Sequence, residues 1–359
     1  MSAFAPSVRV DYSPMDKLRL VGAFRYEKNK VPDKAYPTWQ LVANYKLQEN
    51  SSVRAAYSRA NRSPFTLDVL ADATLVLNPY PVPFMHSGNP SDPSSYNSDP
   101  KNKFTVSLDG NSDLELATMD MIELGFRQKI GKHVLLNIEG FYSKLKNISA
   151  LDVDTVKFTV SQSFIAPPSG MAYPYYRHQT YMNIKETSEQ FGITAEIGAV
   201  VSKYVNFRLF GTYQHTNLKN HNNISVDEKS DILSNEINAA APGSWSDEMV
   251  RTDIPAEYIN TTSKATPSFY GGYELNWLPT DKWTFTTTGY GFTKQTYFHQ
   301  HGSFDIKSKM LVNLRVAYKF TRNSSIFMSA NNIFNATSQE FGFMDKTGAT
   351  WYWGMNVKF

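Results

Sequence analysis

Lys309-Met310-Leu311-Val312-Asn313-Leu314-Arg315-Val316-Ala317-Tyr318-Lys319-Phe320 changes character at nearly every step. Met310, Val312, Leu314, Val316, Tyr318 and Phe320 share one parity; Asn313, Arg315 and Lys319 share the other. In an extended chain residues i, i+2 and i+4 lie on one face, so this stretch is a strand with an apolar and a polar side. The chain's end repeats it, with Trp351, Trp353, Met355, Val357 and Phe359 against Tyr352, Gly354, Asn356 and Lys358. Leu18, Leu20, Phe24 and Tyr26 oppose Lys17, Arg19, Arg25 and Glu27, and Trp39, Leu41, Ala43 and Tyr45 oppose Gln40, Asn44 and Lys46. Ile122, Leu124 and Phe126, then Phe191, Ile193 and Ile197, then Val205, Phe207, Leu209 and Tyr213, then Phe269, Tyr273, Leu275 and Trp277 behave likewise. One segment breaks the rule. Trp283 and Phe285 have one parity and Tyr290 and Phe292 the other, which predicts a bulge near residues 287–289.

Thirteen such segments begin near Val8, Leu18, Trp39, Val53, Met119, Val134, Phe191, Val205, Ser268, Trp283, Lys309, Ser325 and Thr350. Each reaches the roughly 9–11 residues a tilted strand needs to cross a bilayer. Connections alternate between short turns (around 13–16, 48–50, 130–132, 202–203, 279–281 and 321–323) and long ones (61–116, 146–181, 217–263, 294–308 and 335–348). A short helix within residues 67–77 is the only helical expectation. Short turns on one side and long loops on the other is the pattern of outer-membrane barrels. Composition agrees: 14% aromatic residues coexist with a mean hydropathy of −0.41, as when lipid-facing rings line a wall whose other face and loops are wet. No stretch approaches the roughly 20 apolar residues of a spanning helix. The fold class expected is therefore an all-β, antiparallel transmembrane β-barrel of about 13–14 strands, occupying residues 1–359 as one domain. Because an open sheet edge in lipid leaves backbone groups unpaired at several kcal/mol each, and complete single-chain barrels have even strand numbers, a thirteenth strand predicts at least one more towards the N-terminus. The opening Met1-Ser2-Ala3-Phe4-Ala5-Pro6 does not read as a signal peptide.

Three stretches resemble one family. Arg54-Ala55-Ala56-Tyr57-Ser58-Arg59-Ala60-Asn61-Arg62-Ser63-Pro64 is similar to a strand segment of TonB-dependent outer-membrane receptors. Gly110-Asn111-Ser112-Asp113-Leu114-Glu115 followed by Ile122-Glu123-Leu124-Gly125-Phe126 resembles another, and Ala330-Asn331-Asn332-Ile333-Phe334-Asn335 with a terminal strand ending in Phe359 a third. The resemblance implies the C-terminal portion of a 22-stranded barrel, with Phe359 as the signal read by the barrel-assembly machinery. It also implies outer-membrane lipid around the wall and an extracellular small-molecule ligand above it. No segment corresponds to the family's plug domain, so contact with TonB would run only through a plug outside this sequence.

Candidate ligand contacts are the aromatic loop clusters: Tyr80, Phe84 and His86; Tyr173, Tyr175, Tyr176 and Arg177; Trp245; and Tyr297 with His299. Rings offer large contact area at low entropic cost, and a few charges fix orientation; loop packing is the alternative reading. His299-Gln300-His301 has the i, i+2 spacing a metal can use, with Asp305 near, but no third ligand is fixed and no metal or cofactor is assigned. Asp152 and Asp154 share a strand face and read either as a cation site or as a solvated strand end. The absence of cysteine removes thiol chemistry, the net charge of +3 gives no basic stripe for nucleic acid, and no nucleophile, P-loop or metalloprotease motif appears. The functional expectation is a receptor barrel for energy-dependent uptake of a scarce solute such as a ferric siderophore, cobalamin or glycan in a Gram-negative outer membrane. A passive, plug-less channel or structural barrel is the alternative, and a barrel enzyme a distant third.

Overall fold

The computed structural model describes residues 3–77, 104–160, 170–240, 248–299, 302–340 and 344–358. Strands follow in the order β1 (Ala3–Phe4), β2 (Ser7–Met15), β3 (Leu18–Asn29), β4 (Ala35–Gln48), β5 (Ser51–Arg62), β6 (Asp72–Leu77), β7 (Phe104–Asp109), β8 (Ala117–Ile130), β9 (Val134–Lys146), β10 (Ser149–Val160) and β11 (Ala172–Asn183). They continue as β12 (Thr187–Ser202), β13 (Val205–Asn222), β14 (Glu248–Arg251), β15 (Tyr258–Thr262), β16 (Phe269–Trp277), β17 (Trp283–Phe292), β18 (Gln295–His299), β19 (Gly302–Ile306), β20 (Lys309–Lys319), β21 (Ser324–Asn331) and β22 (Thr350–Val357). Helix α1 spans Thr66–Leu70 and α2 spans Val226–Ala239.

Fifteen strands form one antiparallel sheet, in the order β1-β3-β4-β5-β8-β9-β12-β13-β16-β17-β20-β21-β22, with β2 also on β3 and β15 also on β13. Counting β1 and β2 as one interrupted strand and β15 as an extension beside β13, the wall has thirteen hairpin-linked strands, matching the thirteen expected. All six expected short turns join neighbours, and Gly131 in one of them sits at φ +58°, where a side chain would be strained. β2 and β22, the two ends of the sheet, do not pair with each other among the described residues.

Register decides what the wall divides. One row runs Tyr12–Leu20–Ala43–Ala55–Leu124–Gly140–Ile193–Tyr213–Phe269 through successive direct partners. Directly paired residues share a face, so the alternations read strand by strand add up to one continuous apolar face. That face is not a core: Leu124 is 64% exposed and Trp353 88%. Apolar side chains this exposed across a whole sheet mark a lipid-facing surface, and a stacked-sheet sandwich is excluded. No helix among the described residues is long and apolar enough to cross a membrane; the crossing is made by strands.

The bulge expected near residues 287–289 is absent. β17 pairs without interruption to β16 and β20, so Tyr290 and Phe292 face inward and Gly289 and Gly291 hold the outward positions. A Cβ on Gly289 would collide with the Tyr273 ring, and one on Gly291 would lie 2.9 Å from Met310 Sδ. The outward face stays apolar because neighbouring side chains lie over the glycines. The helix expected within residues 67–77 is one turn only, and the rest of that segment is β6.

Candidate functional site

Among the described residues, the first three long connections contribute strands and a helix of their own. β6 and β7 come from the first, β10 and β11 from the second, β14 and α2 from the third, and together the strands make a separate five-stranded sheet, order β14-β10-β11-β7-β6. Segments from different connections meet twice, β7 with β11 in parallel and β14 with β10 antiparallel. Val153, Val156, Phe158 and Ala172 of this platform pack on Leu233 and Ile237 of α2, flanked by Met249 and Ile254. Helix α2 starts at a capping box: Ser225 Oγ accepts from the Glu228 N–H while the Glu228 carboxylate accepts from the Ser225 N–H. That carboxylate lies below its ordinary range because the Ser225 amide and hydroxyl hydrogen-bond to it.

Ion pairs pin the helix to the sheet. Lys229, almost fully buried, donates to Asp152, and Arg177 Nη1 donates to Asp227 at 3.0 Å. His178 sits between two carboxylates, Nδ1 2.6 Å from Asp154 and Nε2 3.0 Å from Asp109. Asp109 comes from the first connection, Asp154 and His178 from the second. Burial alone would depress the His178 pKa, but hydrogen bonds to Asp109 and Asp154 outweigh it and raise the value. The platform joins the wall through Asn183, whose Oδ1 accepts from the Glu115 N–H at 2.7 Å and whose amide donates to the carbonyls of Glu115 and Asn147. The Glu115 side chain in turn accepts from Lys34 and Tyr36, which hold its carboxyl below the usual range.

Against this geometry the sequence candidates separate. Tyr80, Phe84, His86, Trp245 and Phe359 lie outside the described residues, as do Gln300 and His301, and for His299 only the strand backbone is described. Tyr173, Tyr175, Tyr176 and Arg177 fall together on β11. Register places Arg177 beside Val156 on the α2 side, where its guanidinium lies 5.5 Å from the Phe104 ring centroid, so it docks the helix. Tyr173 is buried; Tyr176, on the opposite face, carries the Lys157 ammonium 5.2 Å from its ring centroid. Tyr297, on the β18–β19 hairpin, donates to Gln295 at 2.7 Å. Asp152 and Asp154 have separate partners: a register shift falls between Val153 and Thr155, Lys229 engages Asp152, and the His178 ring engages Asp154.

Sequence reasoning missed a recess of about 240 Å³ at the long-connection end of β13, β16 and β17. Gln214, Thr216, Ser263 and Thr266 line it with amide and hydroxyl groups, and Lys264 and Lys294 add ammonium groups. Lys294 pairs with Asp305 at 2.7 Å and, with Thr296, keeps that carboxyl below its ordinary range. Nothing in the local pattern marks these residues, which lie up to 82 positions apart, from Gln214 to Thr296. The wall's inner face carries polar networks: Arg54 bridges Glu123 and Glu139 at 3.1 and 3.0 Å, Arg208 grips Glu196 through two hydrogen bonds, and Thr194 bonds Thr212.

Residues 3–333 match the family described as TonB dependent receptor-like, beta-barrel. Among curated protein sequences nothing matches. Solved structures with the same fold include the siderophore receptor PirA from Acinetobacter baumannii (TM-score 0.65, 13% identity, 99% of this chain and 46% of that one). A ferric enterobactin receptor variant, PfeA, from Pseudomonas aeruginosa follows (0.63, 14%, 99% and 45%), as does the copper transporter OprC (0.55, 10%, 99% and 47%). The chain spans under half the length of each.

Proposed function

We propose, from the premise that this chain belongs to the TonB-dependent receptor β-barrel family, that it forms part of an outer-membrane receptor that captures an anionic metal chelate of the siderophore class for energy-dependent uptake. The observation that carries this reading is the recess around Lys264 and Lys294, hydroxyl-lined and cationic, opening above a polar inner wall. Tyr176 and Tyr297, with the candidates Tyr80, Phe84, His86, Trp245 and His299, would supply rings around the ligand. Capture on the outside and release inward are separate steps, and the energised one would run through a plug and TonB. Solved structures of the same fold are siderophore receptors and a copper transporter, which favours a metal complex over cobalamin or a glycan. The wall's address is the Gram-negative outer membrane, with Phe359 offered to the assembly machinery and lipid around the apolar face.

The test uses the full-length receptor. Binding of ferric catecholate and hydroxamate chelates, cobalamin and oligosaccharides is measured by calorimetry. The reading expects a chelate to bind, and Lys264→Gln with Lys294→Gln to weaken it at least tenfold. Binding of none of these, together with stable single-channel conductance in planar bilayers, would replace it with the passive-channel reading.

A further inference from the structure

The inner face has a second recess, at the opposite end of the wall from the first. It has a volume of about 610 Å³ and lies where short turns join β2 to β3, β4 to β5 and β8 to β9. Short turns are the periplasmic ones in an outer-membrane barrel, so this recess opens towards the periplasm.

Five cations line it, Lys17, Arg19, Lys46, Arg127 and Lys129, against two carboxylates, Asp16 and Glu49. Strand parity points these cations inward, because Leu18, Leu20, Tyr45 and Phe126 take the lipid side. Register gathers them. Lys46 pairs with Ser52, and Ser52 with Arg127, in one row, which sets the two cations about 10 Å apart at the ordinary strand spacing. The Lys46 N–H donates to the Lys17 carbonyl at 2.8 Å, so Lys17 adjoins the row. Lys129 stands two residues beyond Arg127, about 7 Å along the strand.

Of the five, Arg19 is held by Asp11 through two hydrogen bonds. Lys17, Lys46, Arg127 and Lys129 are exposed and make no ion pair among the described residues. Further up the same face the charges are matched: Arg54 lies between Glu123 and Glu139, and Arg208 is paired with Glu196. A wall that neutralises its arginines at mid-depth and leaves four cations unpaired at one end concentrates anions at that end. Asn44 and Ser52 add amide and hydroxyl donors between the cations, the set that carboxylate and phosphate oxygens accept from.

Size separates the two recesses. Sites that enclose a small molecule run from about 300 to 1,000 Å³. The outer recess, at about 240 Å³, takes one group of a ligand, whereas the inner one, at about 610 Å³, has room for the body of a solute.

We propose that the short-turn recess is a second binding station, on the periplasmic side, for a small solute carrying two or more carboxylate or phosphate groups, which it holds between passage and release. Its place in transport rests on the uptake reading above; its anion binding is measured without it.

The test uses the full-length receptor with Lys264→Gln and Lys294→Gln already in place, so that the outer cations are gone. Calorimetry measures binding of citrate, of inorganic pyrophosphate and of the uncharged triamide of citrate. An anion is expected to bind and the triamide not; tighter binding of citrate would identify carboxylate as the group recognised, and of pyrophosphate, phosphate. High salt should weaken the binding, since the charges are exposed. Lys46→Gln should weaken it about fivefold and adding Arg127→Gln about fivefold more, the scale of exposed charge pairs, while Lys46→Arg should bind nearly as the parent does. With the outer lysines restored, Lys46→Gln with Arg127→Gln should leave chelate capture at the cell surface unchanged and slow its delivery to the periplasm. Equal binding of citrate and its triamide, or no effect of Lys46→Gln, would overturn the proposal. So would cations that serve the plug instead, seen as lost amide-exchange protection in the plug with anion binding unchanged. Failure of chelate capture with anion binding intact would sink the uptake reading alone. Heat-modifiable migration checks that each variant is folded, and Lys46→Gln, at an exposed and unpaired residue, decides the matter if the double variant fails to fold.

Discussion

The wall and the platform use the same residues in opposite senses. In the platform Phe158 and Leu233 are wholly buried between sheet and helix, as in a water-soluble domain driven together by the hydrophobic effect. In the wall Leu124, Ile193 and Trp353 are half or more exposed, and nothing among the described residues covers them. The difference shows that exposure has no fixed meaning without its solvent. The wall is stable because every interior strand has partners on both sides and lipid accepts its apolar face. The platform is stable because it has a core. Two stabilities of different origin in one chain should respond to different substitutions.

The largest effect expected is in the platform. Phe158→Ala removes a fully buried ring and should destabilise that sheet by about 3–5 kcal/mol, read as lost amide-exchange protection in β10 and β11 with the wall strands β12 and β13 still protected. If β12 and β13 lose protection together with the platform, the two regions are one cooperative unit and the distinction fails. Next is a charge on the lipid face. Leu209→Arg, at a half-exposed outward position in mid-strand, should cost about 2–4 kcal/mol in folding into bilayers. The same change at the equally exposed Val250 on the platform should stay within about 0.5 kcal/mol. Equal costs at the two sites would mean that the wall does not face hydrocarbon.

The wall was legible in the sequence and the platform was not, for a physical reason. A strand wetted by lipid on one side and water on the other must alternate, so period 2 is written into each wall strand and thirteen could be counted. β10 and β11 carry register shifts that break alternation, and β11 pairs with β7 from another connection, about 70 residues earlier. No local pattern encodes that meeting. One platform signal was readable: Ser225 and Glu228 form a capping box, with Leu233 and Ile237 spaced for one helix face. The ligand candidates suffered similarly. Aromatic clustering found β11, but pairing decides that Arg177 is spent on α2 and Tyr173 on packing.

The bulge expected in β17 shows the reverse error, in which a switch in the parity of the aromatic residues was taken for a break in the pairing. A test follows from the geometry. Gly289→Ala places a methyl against the Tyr273 ring and should cost about 1–3 kcal/mol as overpacking, less if the ring can swing into lipid. Tyr273→Ala in the same chain should recover most of that loss. A cost unchanged by the second substitution would point to the backbone at Gly289 instead of the ring.

The smallest effect separates the regions by pH. His178 joins β11 to Asp109 and Asp154, and its pKa is raised because these carboxylates outweigh the opposing effect of burial. A group whose native pKa lies above its unfolded value, near 6.5 for histidine, contributes fully below that unfolded value and loses its contribution as pH climbs through the native one. Protection of the β7 and β11 amides should therefore be greatest on the acid side of about pH 6.5 and decline above it, by about 1 kcal/mol for so partly exposed a cluster. Exchange in β12 and β13, corrected for the intrinsic pH dependence of amide exchange, should not follow that profile. His178→Gln should flatten it in β7 and β11 while leaving the wall unchanged. A platform that tightened with rising pH would mean that the imidazole is held neutral between the two carboxylates, and the link between the first and second connections would then rest on the β7–β11 backbone pairing with the Asp68–Ser149 and Glu115–Asn183 hydrogen bonds.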